Sequence, residues 1–363
     1  MKRLVLCADG TWNTRDQQNE DSGKRCPTNV TKVARAVRPR DDNGVDQVVF
    51  YHDGLGTGGG LDRVTGGAFG RGIEDNVRDL YRFILYNWEP GDDIFLFGFS
   101  RGAFTVRTLT GFLFAVGLLE KDDDYYVPDV YGCYEQSKGP GSDEWKKAFR
   151  KIKNTRPCPP IKFVGVWDTV GSLGAPGLLG WFFNSDKYKY HQVGLNPCIQ
   201  NAYHALAIDE RRKPFAPTMY EKPAGWTGML EQVWFAGVHS NVGGGYKPDG
   251  VANEALHWMA SKAHDLGLAF DANYLAHYTP CFNTPLADSM SAKFKALGEY
   301  ERPLGQHVAH GERLHKSVAD RRGFAAANYT AKNLDAWATP LIVDTIAPWI
   351  TRGTPCGDLP KTP

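Results

Sequence analysis

Long hydrophobic runs are missing from this sequence of 363 residues. The longest apolar stretch, residues 111–119, is far shorter than the roughly 20 residues that a helix needs to cross a bilayer. At the N-terminus, Lys2 and Arg3 are followed by only five apolar residues before Asp9, whereas a secretory signal needs about 7–15. We therefore expect no transmembrane segment, and a protein that is either cytoplasmic or exported without a signal peptide.

An excess of charge of one sign is also missing, because 42 Lys and Arg residues stand against 41 Asp and Glu residues, for a net charge of +1. This balance argues against general nucleic-acid binding, which requires a basic face or stripe. The seven cysteines form no C-x-x-C pair and indicate neither a zinc knuckle nor a disulfide framework, so we expect reduced thiols. No group of metal-ligating residues has the required spacing, and we predict no metal and no cofactor.

The residues that are present are typical of a globular chain, with 42% hydrophobic and 23% charged residues, which excludes intrinsic disorder. Apolar runs at residues 2–7, 47–51, 93–97, 161–167 and 232–238 predict strands. Helical spacing of apolar positions predicts helices over 73–88, 103–116 and 252–266. The alternation predicts an α/β fold with a mostly parallel central sheet and helices on both faces.

The strongest local signal is the sequence GFSRG at residues 98–102, a G-x-S-x-G motif. It follows a predicted buried strand and precedes a predicted helix, which is the context of a nucleophile elbow. The glycines let the chain pass close by, and the sharp turn projects the Oγ of Ser100 above the sheet. The alternative is a helix N-cap serine in a glycine-rich turn. We predict that Ser100 is the catalytic nucleophile.

A catalytic serine needs a base and an acid that orients this base. In α/β hydrolases the chain order is serine, acid, histidine. Asp168 ends the predicted strand 161–167 and His239 ends the predicted strand 232–238, so both fit this order at carboxyl ends of strands. Asp209 is the alternative acid and His315 the alternative base, and a turn or N-cap carboxylate is the non-catalytic interpretation of Asp168.

The glycine-rich loop DGLGTGGG at residues 53–60 follows the second predicted strand. In a hydrolase, its backbone N–H groups near Gly54 and Leu55 would complete an oxyanion hole with that of Arg101. The loop also contains a literal G-x-G-x-x-G, but the following LDRVTGGAFG shows no helical period, which argues against dinucleotide binding. Asp9, after the first strand, is expected at the same edge of the sheet, where it would orient the elbow or cap a loop.

A dense apolar cluster follows Asp168 in the segment GAPGLLGWFF. Two interpretations of this cluster are equally open: a lid or an acyl-chain wall over the site, and ordinary core packing. The predicted substrate-binding residues are Leu178, Leu179, Trp181 and Phe182. The lid would cover residues 174–190 of a single α/β-hydrolase domain, 1–363, in which 121–160 form an insertion and 353–363 a frayed tail.

Several segments together resemble the DUF2235 group of α/β hydrolases, which includes the catalytic domain of one class of type VI secretion phospholipase effectors. These segments lie between residues 4 and 321 and read LCADGTWN, YHDGLGTGG, GDDIFLFGFSRGAFTVRTLTGFL, FVGVWDTVGSLG, HALAIDERRKPFAP, QVWFAGVHSNVGGGY and HKSVADR. The resemblance implies a triad of Ser100, Asp168 and His239, in agreement with the strand ends. It also implies an α/β-hydrolase-like fold, with inserted loops and helices over the site, and a glycerophospholipid substrate. An Asp often follows the His-Ser pair in that group, whereas this chain has Asn241, which weakens any role for a neighbouring acid in support of His239.

The function expected from the sequence is a serine hydrolase that cleaves carboxylic esters through an acyl-enzyme, with lipid or phospholipid esters as substrates. An esterase or deacylase acting on soluble or glycan esters, and a non-catalytic binding member of the fold, are the alternatives. The expected partners are a small-molecule or lipid ester, a membrane surface contacted peripherally and, for a type VI-like effector, an immunity or delivery protein. No nucleic-acid partner is expected.

Overall fold

The computed structural model describes residues 1–10, 13–18, 23, 25–54, 66–136, 142–150, 152, 154–170 and 194–350, with the backbone alone for 66–71 and 293. In these ranges the strands are β1 (Arg3–Ala8), β2 (Gln47–His52), β3 (Asp93–Phe99), β4 (Leu118–Leu119), β5 (Thr155–Arg156), β6 (Ile161–Trp167), β7 (Asn201–Ala207), β8 (Met229–Phe235), β9 (Glu312–His315) and β10 (Ile342–Val343). The α-helices are α1 (Asn29–Ala36), α2 (Gly66–Asn87), α3 (Arg101–Val116), α4 (Val127–Glu135), α5 (Asp143–Phe149), α6 (His239–Gly243), α7 (Gly250–Asp265), α8 (Ala272–Ala276), α9 (Ala292–Ala296), α10 (Lys316–Gly323) and α11 (Lys332–Asp335).

Eight of these strands form one sheet in the order β10-β9-β8-β7-β6-β3-β1-β2, and every neighbouring pair is parallel. The short strands β4 and β5 pair with each other in antiparallel orientation. From β1 the chain adds β2 on one side and then β3 and β6 on the other, so the strand order reverses between β1 and β3. In open parallel sheets, ligands bind at such a switch point, outside the carboxyl ends of the strands.

The core lies on both faces of the sheet, as the alternating side chains of β1 illustrate. Leu4 and Leu6 pack into a cluster with residues of α2 and α3, whereas Val5 and Cys7 pack into a second cluster with residues of α1 and α7. Strands covered on both faces have apolar residues at consecutive positions rather than at every second one. The described residues therefore have the mostly parallel, α/β-hydrolase-like architecture that the sequence predicts.

The predicted elements agree best with the structure where the sequence is continuously apolar. The strand predicted at 161–167 is β6 with the same bounds. Helix α2 begins at Gly66 rather than at residue 73, so the prediction that LDRVTGGAFG is not helical is wrong for its last five residues. Because extending a formed helix costs far less than nucleating one, glycine-rich turns can continue from the amphipathic part of α2. Strand β7 was not predicted, since Asn201 and His204 interrupt its apolar pattern.

Two expectations concern cysteines and membrane spans. The structure joins Cys158, before β6, and Cys198, before β7, in a disulfide, so the expectation that all thiols are reduced is wrong for this pair. The strands that follow the two cysteines, β6 and β7, are neighbours in the sheet, which brings together two residues that the sequence spacing does not relate.

Within the described ranges, no helix is both long and apolar enough to cross a membrane. The predicted tail 353–363 lies outside the described residues.

Candidate active site

Ser100 occupies a strained turn between β3 and α3. Its φ is 57° and its ψ is −117°, a backbone conformation that residues other than glycine rarely adopt. The Ser100 N–H donates to the carbonyl of Trp167 at 3.0 Å, which ties the turn to the end of β6. A side chain at Gly98 would meet the backbone of Ala103 at 2.7 Å, and one at Gly102 would overlap the carbonyl of Ala8. The spacing of the two glycines in the motif therefore follows from close packing around the serine.

Asp168 lies directly after β6 and is fully buried. Its φ of 41° marks a second sharp turn at the carboxyl edge of the sheet. The backbone N–H of Ala207, at the end of the neighbouring strand β7, donates to its Oδ1 at 3.0 Å. Its Oδ2 lies 2.6 Å from the Nδ1 of His239. The structure thus brings together the acid and the histidine that the sequence predicts.

Arg302 is a residue of this site that the sequence analysis missed. It is 1% exposed, and its guanidinium donates hydrogen bonds to both carboxylate oxygens of Asp168, from Nη1 to Oδ1 at 2.6 Å and from Nη2 to Oδ2 at 3.0 Å. The same two nitrogens donate to the carbonyl oxygens of Ala207 and Phe215, each at 2.7 Å. No local pattern distinguishes Arg302 from the other arginines in the sequence, because its partner is 134 residues away.

The charges of the site act on the pKa of Asp168 in opposite directions. Burial alone would raise this pKa, but the positive charge of Arg302 and the hydrogen bond from His239 outweigh burial and hold it well below its usual range. Burial lowers the pKa of His239, although the hydrogen bond and the charge of Asp168 act against this effect. The pair therefore consists of an ionised carboxylate and a neutral imidazole at neutral pH.

His239 is the first residue of α6, and its ring contacts two aromatic side chains. The ring centroid is 4.6 Å from that of Phe99, the neighbour of Ser100 in the chain, and 5.0 Å from that of Phe215. Its backbone N–H donates to Glu210 Oε2 at 3.2 Å. Asn241 caps the helix instead of supporting the ring, since its Oδ1 accepts the N–H of Val238 at 3.2 Å.

The alternative acid and base have other contacts. Asp209 accepts the N–H of Gly237 at 2.6 Å and the hydroxyl of Tyr329 at 2.9 Å. His315 caps α10, and its Nδ1 and Nε2 lie 2.8 and 2.9 Å from the hydroxyls of Ser317 and Thr345. Both side chains therefore hold local structure, and the geometry favours the pair Asp168 and His239 over them.

The loops around Ser100 modify the predicted oxyanion hole. Strand β1 lies between β2 and β3, so the loop after β1 is next to the serine, and a Cβ on Gly10 would be 3.3 Å from that of Ser100. The N–H of Gly54, after β2, donates to the carbonyl of Asn13 at 3.0 Å, which argues against its predicted role as an oxyanion donor. Arg101 is the first residue of α3, as an oxyanion donor after the nucleophile requires. Leu55 lies outside the described residues.

Asp9 holds the loop after β1 in place. Its carboxylate accepts hydrogen bonds from the hydroxyls of Thr28 at 2.6 Å, Tyr51 at 2.7 Å and Thr31 at 3.0 Å, and from the N–H of Gly10 at 2.7 Å. Burial nevertheless raises its pKa, against the effect of these donors. Of the two roles considered for Asp9, these contacts favour the capping of a loop.

The predicted lid and its residues, Leu178, Leu179, Trp181 and Phe182, lie outside the described residues. Within the described ranges, no group of three or more His, Cys, Asp or Glu side chains is arranged to hold a metal ion. The described part of the site therefore comprises the turn at Ser100, the pair Asp168 and His239, and Arg302.

The sequence matches the family model described as "T6SS, Phospholipase effector Tle1-like, catalytic domain" over residues 2–262, where T6SS is the type VI secretion system. The chain belongs to this family. The matched range contains Ser100, Asp168 and His239, whereas Arg302 lies beyond it. The family description is that of the catalytic domain of a phospholipase effector.

Among known proteins, the chain is similar to the uncharacterized protein YEL023C of Saccharomyces cerevisiae, with 27% identity over 245 residues. The match covers 59% of this chain and 32% of the yeast protein, so the chain spans about a third of that relative's length.

The chain also resembles three solved structures. The Tle1 effector bound to the VgrG spike of the type VI secretion system is 19% identical, with a TM-score of 0.38, over 68% of this chain and 52% of that one. An uncharacterized protein from Pseudomonas aeruginosa is 15% identical, with a TM-score of 0.46, over 93% and 52%. The carboxylesterase Cest-2923 from Lactobacillus plantarum WCFS1 is 12% identical, with a TM-score of 0.33, over 74% and 87%. Since these scores are below 0.5, the fold assignment rests on the sheet order instead.

Proposed function

We propose that this chain hydrolyses the carboxylic esters of lipids, phospholipids among them, with Ser100 as nucleophile, His239 as general base and Asp168 as the acid that orients His239. The observation that carries the proposal is the 2.6 Å contact between His239 Nδ1 and Asp168 Oδ2 beside the strained turn that presents Ser100. Membership of a phospholipase effector family supports the lipid substrate.

The contact with Asp168 defines the roles of the two ring nitrogens of His239. An ionised carboxylate only accepts hydrogen bonds, so Nδ1 carries the proton and Nε2 is the basic nitrogen. As the Oγ of Ser100 attacks the ester carbonyl, Nε2 takes the hydroxyl proton and then passes it to the leaving alcohol. A water molecule that loses a proton to Nε2 next attacks the acyl-enzyme, and Nε2 returns that proton to the Oγ of Ser100 as the carboxylic acid leaves.

The negative oxygen of each tetrahedral intermediate requires backbone donors. We assign the N–H of Arg101 to this role, because Arg101 opens α3 directly after the nucleophile. The positive end of the helix dipole adds to the stabilisation. The second donor is expected in the loop after β1, the strand next to β3, rather than at Gly54, whose N–H is bonded to Asn13.

The proposal has two further features, a partner and a set of acyl-chain contacts. A delivery protein such as the VgrG spike, which the Tle1 effector binds, is a candidate partner. The apolar residues Leu178, Leu179, Trp181 and Phe182 remain the candidate acyl-chain contacts. The alternatives are an esterase or deacylase for soluble or glycan esters, and a binding protein without catalysis.

The proposal is tested by ester hydrolysis with the wild-type chain and Ser100→Ala. The substrates run from p-nitrophenyl acetate to p-nitrophenyl palmitate, together with a fluorogenic phospholipid in micelles. We expect loss of about 10⁴-fold or more in kcat for Ser100→Ala, because a catalytic triad acts as a unit and loses most of its rate with one member. A rate that rises with micelle formation would indicate a lipase, and activity confined to short acyl chains a soluble esterase.

Ser261→Ala is the matched control, because Ser261 is also buried but bonds to the helix carbonyl of Trp258, far along the chain from the site. This variant should keep wild-type activity and covalent labelling by a fluorophosphonate, whereas Ser100→Ala should lose both. Equal activity of wild type and Ser100→Ala on every ester would refute the proposed nucleophile. No activity and no labelling in the wild type would favour the binding alternative.

A further inference from the structure

The contacts of Arg302 go beyond those of an ordinary buried ion pair. Its two terminal nitrogens bond both oxygens of Asp168, so the carboxylate cannot turn about its Cβ–Cγ bond without breaking a hydrogen bond. One of these oxygens, Oδ2, is also the one that contacts His239. The guanidinium therefore fixes the direction in which Asp168 presents its acceptor to the imidazole.

Arg302 also connects Asp168 to Phe215, an aromatic neighbour of His239. Its Nη2 donates to the carbonyl of Phe215, whose ring lies against His239 with the centroids 5.0 Å apart. The backbone carbonyl of Arg302 in turn accepts a hydrogen bond from the Asn333 side chain at 3.2 Å. The position of Arg302 is thus held from α11, and its side chain holds both the acid and the aromatic neighbour of the histidine.

The ionisable groups next to the Asp168–His239 pair keep one protonation state near neutral pH. Burial, followed by the charge of Arg107, lowers the pKa of His204 on β7 to about 3, so His204 is neutral above that pH. Burial would raise the pKa of Glu210, but Arg212 outweighs it and keeps Glu210 ionised. The arginines remain charged. Proton uptake by the Asp168–His239 pair itself is therefore the step that ends general-base catalysis as the pH falls.

We propose that Arg302 is a positioning residue of the triad: its charge keeps Asp168 ionised and limits proton uptake by the Asp168–His239 pair, and its fork fixes the carboxylate that orients His239. This inference rests on the proposed function. It adds a residue from outside the range that the family model matches, so the segment after residue 262 takes part in the site.

Loss of the positive charge at position 302 should change the pH dependence of catalysis in one direction only. Without the guanidinium, the pair takes up its first proton more readily, whichever of its two members receives it. The acid limb of the pH profile of kcat/KM should move to higher pH by about one unit, the lower end of shifts seen for a charge in contact. A purely structural role would lower the amount of folded enzyme without moving this limb.

The experiment compares Arg302→Gln, which removes the charge, with Arg302→Lys, which keeps it but lacks the fork. Rates are normalised to the active sites that a fluorophosphonate labels. We expect the acid limb to shift upwards in Arg302→Gln and to stay at the wild-type pH in Arg302→Lys. In Arg302→Lys, kcat should fall by about tenfold with KM unchanged, because a misdirected base slows the chemistry rather than the binding.

Arg321→Gln is the matched control. Arg321 is also buried and donates to the carbonyls of Phe282 and Thr284 instead of the Asp168 carboxylate. Its substitution should lower stability and leave the pH profile unchanged. An unshifted acid limb in Arg302→Gln would overturn the proposal. If Arg302→Gln does not fold, a wild-type kcat in Arg302→Lys would overturn it.

A readout independent of turnover separates this inference from the proposed function. The pKa of the His239 ring, followed by NMR in the wild type and Arg302→Gln, should rise in the variant even if no ester is hydrolysed. Ester hydrolysis that survives Ser100→Ala would refute the proposed nucleophile and leave this titration interpretable. An unchanged pKa of His239 in folded Arg302→Gln would refute the role of Arg302 and leave the proposed function untouched.

Discussion

At the scale of single residues, the carboxylate of Asp168 receives four donors: the His239 imidazole, two nitrogens of Arg302 and the backbone of Ala207. Two carboxylate oxygens offer about four acceptor positions, so the buried charge is fully satisfied. This saturation explains how an ionised acid persists where burial alone would protonate it.

The residues of this cluster differ in how well the sequence predicts them. Ser100 lies in a five-residue motif, and Asp168 and His239 follow apolar strands, so local patterns point to all three. Arg302 has no such pattern, because its role depends on a contact across 134 positions. The prediction for Gly54 has a similar limit, because only the strand order shows that β1, and not β2, is next to the strand that precedes Ser100.

A prediction at the residue scale concerns His204, which is neutral in the folded protein at neutral pH. Its Nε2 accepts the N–H of Thr169, directly after Asp168, at 3.0 Å. Its pKa is lowered by burial to about 3, below the value of about 6.5 in an unfolded chain. Between these values the unfolded state binds more protons, so the free energy of unfolding falls as the pH drops below about 6.5, by up to about 1.4 kcal/mol per pH unit.

We expect His204→Gln to flatten this dependence, because its amide can accept the same N–H without titrating. The measurement is the urea unfolding free energy at intervals from pH 8 to pH 4. His277→Gln, at an exposed position, is the control and should keep the wild-type slope. An equal slope in His204→Gln and the wild type would contradict the interpretation.

At the scale of elements, the sheet is predicted best where strands are buried on both faces and apolar throughout, as in β6. The short strands β9 and β10 give a weaker signal, since β9 reads ERLH and β10 has only two residues. Their place in the sheet depends on pairing with β8 and with each other. Such pairing is a tertiary effect that local propensity does not encode.

The contact between β1 and α3 gives a prediction at this scale. A side chain at Gly102 would overlap the carbonyl of Ala8, whereas nothing lies within 4 Å of a side chain at Gly132 in α4. We expect Gly102→Ala to lower the free energy of unfolding by about 1–3 kcal/mol or more through overpacking. Because the overlap displaces the nucleophile turn, fluorophosphonate labelling of Ser100 should also slow.

Gly132→Ala is the matched control in the same measurement. Alanine costs less backbone entropy in a helix than glycine, so this variant should be more stable by about 0.5–1 kcal/mol. Labelling should proceed at the wild-type rate. Wild-type stability and labelling in Gly102→Ala would show that the close approach of β1 and α3 is not required.

At the scale of the whole molecule, the segment after α7 completes the sheet and part of the core. It supplies β9 and β10, and its side chains form a third hydrophobic cluster with Leu206 of β7 and Trp234 of β8. The indole of Trp234 also donates to the buried Glu312 at 2.7 Å. The segment that holds Arg302 is therefore packed against β7 and against β8, the strand that precedes His239.

This dependence leads to a prediction for the stability of the whole chain. Leu334 of α11 is 2% exposed within the third cluster, whereas Leu341, before β10, is 55% exposed. Leu334→Ala removes buried methyl groups and leaves a cavity, so the free energy of unfolding should fall by about 2–5 kcal/mol. Leu341→Ala should change it by no more than about 0.5 kcal/mol, as expected for a surface position. Denaturant titration followed by circular dichroism measures both. Because α11 holds the Arg302 backbone through Asn333, Leu334→Ala should also lower activity per folded molecule, and full activity would argue that the site is independent of this cluster.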